Sequence, residues 1–416
     1  MCATRSTFRD RPAVWACGRR SLARRLQTLR GQGSFRPRLP VRRQNEPHLN
    51  DTIQSLAAQI QSAQARGATL RIRGGGSKDF YGGALAGELL ELGQYRGIIE
   101  YEPSELVLTA RAGTPLVEIE NTLREQGQML AFEPPHFSVT PAPAAAPAGT
   151  ASAMATFGGC IAAGLSGPRR ASAGSVRDFV LGVRVLNGEG RELRFGGKVM
   201  KNVAGFDVSR LFAGSLGTLG ALLDVSIKVL PLPAAEATLR FEHSAATAIR
   251  LLNEWGGKPL PLSASAWHDG VLSLRLSGAH AAVNAATQQL GGERVDATTA
   301  AGYWRELREH RTGFFASDTP LWRLSVKSST PPLALAGHQL IEWGGSLRWL
   351  TASANAATVR EAAQRAGGHA TLFRGGDKAP GVFQPLSPAL MTLHRNLKRA
   401  IDPAGIFNPG RLYPEF

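Results

Sequence analysis

The sequence predicts an α+β fold, and two observations predict it. Segments with helical spacing and segments with strand spacing follow one another along the chain, and three glycine-rich stretches separated by strands precede a composition shift near Pro233. At 416 residues the chain exceeds the ~250–300 residues at which single cores stop growing, so two domains, or one with a long insertion, are expected.

The elements follow in order. "DTIQSLAAQIQSAQARG" sets Ile53, Leu56, Ile60 and Ala63 three or four apart, with Asp51 as candidate N-cap and Gly67 as stop, which predicts an amphipathic helix. "ATLRIRGGG" follows at once, so a short strand feeds a glycine turn. "GIIEYEP" and "LVLTARAGTPL" read as strands and "PLVEIENTLREQG" as a helix with Gly127 past its end. Residues 133–150 are too rich in Pro and Ala for regular structure, and a loop this long in a compact domain is usually functional. "GSVRDFVLGVRVLNGEGRELRFG" predicts a hairpin across Asn187-Gly188, and "ALLDVSIKVLPLP" a strand closed by Pro231 and Pro233. From 234 to 380, runs such as "ATAIRLLNEWGG", "VLSLRLSG", "LWRLSVKSS" and "ATVREAAQRAGG" alternate, as helices over an antiparallel sheet do. The tail carries a helix capped by Ser387 with Leu390, Leu393, Leu397 and Ile401 on one stripe, then an "NPGR" turn.

The formal charge of +16 suggests nucleic acid until it is located. Residues 1–45 hold twelve arginines and one acid, so eleven of those charges lie there and the rest of the chain is only mildly basic. That leader reads as a disordered extension or as sequence ahead of the true start. No apolar run reaches the ~18 residues of a membrane span. Three cysteines without CxxC spacing support neither a zinc site nor a disulfide framework and fit a reducing compartment, with Cys160 as a small buried residue.

Glycines permit positive φ and remove Cβ, so successive amides can point into one concavity suited to a polyanion such as a diphosphate. The three clusters are Gly74–Gly76, then Gly158 and Gly159 with Gly164 and Gly167, then Gly214, Gly217 and Gly220. No GxGxxG opens a helix after the first strand and no GxxxxGK[ST] occurs, so neither a Rossmann site nor a P-loop is indicated.

"RIRGGGSKDFYGG", "TFGGCIAAGLSGPRRASAGSVRDFVLGVRVLNGEG" and "KNVAGFDVSRLFAGSLGTLG" resemble the FAD-binding (PCMH-type) domain of the vanillyl-alcohol oxidase superfamily. "IEWGGSLRWL" and "IDPAGIFNPGRLY" narrow the likeness to the E subunits of bacterial glycolate oxidase, which work with a second flavoprotein and an iron–sulfur subunit. The resemblance implies a two-subdomain FAD-binding fold over 47–233 after a leader over 1–46. An α+β cap over 234–383 and a C-terminal helix over 384–416 returning to the FAD domain would follow. It further implies that the backbone of Arg73, Gly74, Gly75, Gly76, Ser77 and Lys78 wraps the pyrophosphate. Pro134, Pro135, Thr156, Gly158 and Gly159 would line the flavin and ribityl chain, with Ser166, Gly174, Ser175 and Asp178 continuing that wall. Gly217, Thr218 and Gly220 would lie near the adenosine half. Relatives that tether the flavin usually carry His in the first glycine loop, where Ser77 and Lys78 stand, so noncovalent FAD is implied. A cytoplasmic location, with any contact to the inner membrane made through the complex, is implied too.

Oxidation of a 2-hydroxy acid needs a cation for the carboxylate and a base or metal near the hydroxyl. Hydroxy-acid dehydrogenases of the superfamily carry an "HGDGNLH"-like histidine pair that binds a metal; here the histidines are isolated, and no metal site is expected. The candidate carboxylate clamps are Arg323, Arg348 and Arg411, with Trp322, Trp343 and Trp349 nearby. The alternative for each is an interface strand residue paired with an acid. The functional expectation is a noncovalent FAD subunit of a glycolate-oxidising complex, with hydroxy-acid chemistry mainly on a partner. An independent oxidoreductase of another small acid, and a scaffold with a vestigial flavin site, remain open.

Overall fold

The computed structural model describes residues 46–138, 154–197 and 207–416. The basic leader, most of the Pro/Ala-rich loop and the start of "KNVAGFDVSRLF" lie outside them. The first helix runs Glu46–Arg66, five residues earlier than Asp51 would cap it. Asp51 therefore lies inside the helix rather than at its N-cap. Ile53, Leu56, Ile60 and Ala63 are buried as the spacing predicts, against Leu70, Leu90 and Phe407.

That helix packs on a small parallel pair, Leu70–Arg73 with Glu88–Glu91, from which the glycine turn emerges. Behind it lies a five-stranded antiparallel sheet in the order Ile98–Glu102, Val107–Arg111, Ala221–Lys228, Val180–Leu186, Glu192–Gly196. The central strand, Ala221–Lys228, arrives last in sequence, so the sheet closes only after the third glycine cluster has been laid down. Helices Leu116–Glu125 and Phe157–Ala163 cover one face through Leu116, Ile119, Leu123, Phe157 and Ile161. The hairpin expected across Asn187-Gly188 is wider, spanning 187–191. The Asn187 carboxamide oxygen accepts from the amides of Glu189 and Arg191, and Gly190, not Gly188, takes the positive φ of +72°.

An eight-stranded antiparallel sheet, built between Ala235 and Arg374, forms the second layer. Helices Ala245–Gly256, His280–Leu290 and Ala356–Arg365 cover its outer face. Its inner face meets the first domain in a shared core where Tyr81, Leu165 and Leu216 pack with Trp304, Leu340, Trp343, Trp349 and Phe373. Two buried charge networks fasten this seam. Glu133 accepts from the Arg169 amide at 2.9 Å and pairs with Arg275 at 2.8 Å. Glu309 accepts from the amides of His136 and Phe137 at 3.0 and 2.8 Å. Burial alone would raise the Glu133 pKa, but Arg275 and Arg169 outweigh it and hold the group below the usual carboxylate range.

The tail helix Pro388–Ile401 returns to the first domain, with Ser387 as its cap. Its expected stripe is buried only in its second half: Leu390 and Leu393 are exposed, Leu397 and Ile401 pack on the core, and Met391 and Lys398 also face inward. A lysine can hold that inner position because Lys398 pairs with Asp402 at 2.8 Å and donates to the carbonyls of Thr218 and Phe407. Asp402 also accepts from the amides of Ile406 and Phe407. No helix among the described residues is long and apolar enough to cross a membrane. Asp402→Ala, which strands the buried Lys398 ammonium and two amides, is expected to cost about 3–5 kcal/mol in chemical denaturation.

Candidate functional site

The three glycine segments converge on one cleft of about 790 Å³ whose walls include Arg73–Asp79, Thr156, Gly158, Gly159, Leu216, Gly217 and Gly220. Close approach is what demands the glycines. A Cβ on Gly75 would stand 1.7 Å from the Met154 carbonyl oxygen, and one on Gly74 2.2 Å from the Thr156 hydroxyl. None of the amides of Gly74, Gly75, Gly76, Ser77 and Lys78 meets a backbone acceptor among the described residues. Among the described residues these five successive N–H groups have no protein acceptor and line the cleft, where the oxygens of a diphosphate can accept from them. The row is braced at both ends. Arg73 Nε clasps Asp79 at 2.8 Å across the turn, and Lys78 Nζ donates to the His136 carbonyl at 3.2 Å. Burial lowers the Lys78 pKa.

Asn408, in the NPGR turn, ties two segments together. Its side chain accepts from the Ile72 amide at 2.7 Å and donates to the Leu216 carbonyl at 2.6 Å. Arg411 also lines the cleft, but its guanidinium is spent on the carbonyls of Asp79, Tyr81 and Gly83. Thr218 lies behind the cleft wall, with its hydroxyl on Ser215 and its carbonyl on Lys398. Gly174, Ser175 and Asp178 line neither this cleft nor the smaller cavity described next. Ser175 and Asp178, spaced as a capping box requires, form one for the turn Val176–Phe179. Cys160 is buried, its thiol pushed up to about 12.

The smaller cavity lies where the cap sheet meets the first domain, between Pro135, Phe137, Ser166 and Gly167 on one side and His310, Arg323, Glu342, Trp349 and Phe373 on the other. Pro134, buried beside Pro135, is not part of its wall. Strand alternation decides which arginine reaches it. Arg323 pairs with Trp349 and Leu324 with Arg348, so Arg323 and Trp349 share the inner face while Arg348 and Trp322 point outward under helix Ala356–Arg365. Arg348 donates to the carbonyls of Gly345 and Thr330, both at 2.7 Å, through Nε and one terminal nitrogen. Arg323 makes no hydrogen bond or ion pair among the described residues. It lies over the Trp343 ring, 5.2 Å away, which Arg170 also approaches at 4.4 Å.

Glu342 faces the same space with one oxygen accepting from Trp349 Nε1 at 2.7 Å. Burial pushes its carboxyl up to about 7, against the pull of Trp349 and Arg323. His310 stacks on Phe315 at 4.0 Å and leaves Nδ1 without a partner; burial, with Arg374 and Arg323 nearby, keeps it neutral at physiological pH. Among the described residues no group of three or more His, Cys, Asp or Glu side chains is placed to hold a metal ion. Sequence reasoning missed Asn408, Glu342, Glu309 and His310. Only Glu342 left a signal, as a carboxylate inside the otherwise apolar end of "HQLIEW".

Residues 49–196 match the family described as FAD binding domain, and residues 374–412 match the C-terminal domain of FAD linked oxidases. Glycolate oxidase subunit GlcE of Escherichia coli (strain K12) is 47% identical over 365 residues, covering 88% of this chain and 98% of that one. The chain belongs to the GlcE family of FAD-linked oxidases. Glycolate oxidase subunit GlcD of Bacillus subtilis (strain 168) is 31% identical over 142 residues, 34% of this chain and 27% of that one. A solved structure of alkyldihydroxyacetonephosphate synthase shares the fold, with TM-score 0.59 at 16% identity over 86% of this chain and 76% of that one. In this GlcE-family chain the two matched segments together contribute Arg73–Asp79, Gly158, Gly159, Asn408 and Arg411 to one cleft.

Glu342 also sets a pH dependence. Its pKa is about 7 folded against the ordinary 4.5, so the folded state holds a proton the unfolded state has lost between those values, and stability falls as pH rises through that window. Denaturation at pH 5 and pH 8 should show Glu342→Gln removing a decline of about 3 kcal/mol.

Proposed function

We propose that this chain is the FAD-binding subunit of a glycolate oxidase. It would oxidise glycolate to glyoxylate together with a second flavoprotein and an iron–sulfur subunit. The observation that carries the reading is the row of five unpaired amides in the cleft, because it asks for a diphosphate in the domain whose family is named for FAD. The name of the E. coli relative supplies the glycolate. FAD, when bound, accepts two electrons. The protein's part is to hold its diphosphate on the 74–78 amides and to border the ring with Pro135 and Ser166. Arg323, the cation without a partner, would take the substrate carboxylate, while Arg348 and Arg411 serve the scaffold.

The chamber around Arg323 favours a second reading beside partner-borne chemistry, in which this chain oxidises a small 2-hydroxy acid itself. Stopped-flow reduction of the purified, FAD-loaded chain separates the two. Slow bleaching by glycolate and D-lactate that becomes fast on adding the partner subunits supports division of labour, and rapid bleaching alone supports self-sufficiency.

The purified protein should be yellow and should release its FAD into acid, since no side chain stands ready to tether the ring. Gly75→Ala, which drives a methyl into the Met154 carbonyl, is expected to weaken FAD binding at least about tenfold in a fluorescence titration, with the far-ultraviolet spectrum unchanged. Undiminished FAD binding by that variant would place the diphosphate elsewhere.

A further inference from the structure

The small chamber contains a cation and a carboxylate that do not neutralise each other. Arg323 and Glu342 each feel the other's charge, yet no ion pair of 4 Å or less closes between them. Glu342 is tied to Trp349 through one oxygen, and Arg323 keeps its donors free toward the same space. Phe137, Trp349 and Phe373 narrow that space with aromatic walls.

We infer that Glu342 is the proton-handling group of this chamber. When ionised it accepts a hydrogen bond from the C2 hydroxyl of a short 2-hydroxy acid, and when protonated it donates one to an acid bearing only acceptor oxygens there. The inference rests on the reading of Arg323 as the carboxylate anchor.

The surrounding groups leave Glu342 as the one that changes charge near neutrality. Arg323, two strands away across Leu347–Thr351, stays protonated, and the Arg308 guanidinium at the end of the helix Ala297–Arg308 lines the same cavity. His310 is held neutral, and Tyr303 on that helix is pushed up to about 12. Glu133, across the domain seam, is locked ionised by Arg275 and Arg169, and its charge helps raise Glu342. The Trp349 indole cannot titrate.

Calorimetric titration of the FAD-loaded full chain with glycolate and with oxalate, from pH 6 to pH 8, tests the inference by binding alone. Glycolate is expected to bind more tightly as pH rises, by up to about tenfold per unit on the acid side of the transition, and oxalate more weakly over the same range. Glu342→Gln keeps an oxygen for Trp349 and should flatten both slopes, whereas a merely structural Glu342 would weaken both acids alike and leave the slopes in place. Arg323→Met should abolish binding of both acids, and Arg348→Met should bind like the parent. Failure of the parent protein to bind either acid overturns the carboxylate anchor and this inference together. Binding that ignores pH, or slopes that survive Glu342→Gln, overturns the role of Glu342 and leaves the anchor standing.

Discussion

Five consecutive amides without backbone acceptors are the constraint around which the first domain is organised. A chain that folds normally would pair them within a turn or a strand. Here the turn after Arg73 is held open from outside: by Asp79 on the arginine, by Met154 and Thr156 packed against the glycine Cα atoms, and by Asn408 reaching from the tail to Ile72 and Leu216. The tail is thus part of the cleft wall, and the buried Lys398–Asp402 pair that shapes it lies upstream of ligand binding.

The cap does a different kind of work. Its sheet offers the first domain an inner face rich in tryptophan and phenylalanine, and within that apolar wall it leaves a guanidinium unpaired and a carboxyl poised near neutrality. The carboxyl is held by the Trp349 indole alone, and the guanidinium, only partly buried, keeps no protein acceptor among the described residues. Arg348 shows the contrast. It is the more deeply buried of the two arginines, and its Nε and one terminal nitrogen donate to the carbonyls of Gly345 and Thr330.

Much of the fold was legible in the chain. The first helix, the strand running into the glycine turn, the alternating cap elements and Ser387 as a cap all follow from period and turn chemistry. Misreadings arose where a distant partner overrode the local pattern. The expected stripe of the tail helix is buried only in its second half, and the inner face also takes Lys398, because Asp402 and two carbonyls make a buried lysine acceptable there. At Ser175 the spacing of three to Asp178 is used locally, in a capping box.

The sequence by itself determined that three stretches lack side chains, that the +16 charge belongs mostly to the leader, and that the motifs are those of an FAD-linked oxidase. Only the tertiary structure decided what those stretches enclose and which polar groups face the space. Hydrogen-bond debt is a property of neighbours in space, so the unpaired amides could not be counted along the chain. Arg323 and Arg348 look alike in sequence; the pairing of Arg323 with Trp349 turns one toward the seam and the other away, since side chains alternate across a strand and register is set by the partner.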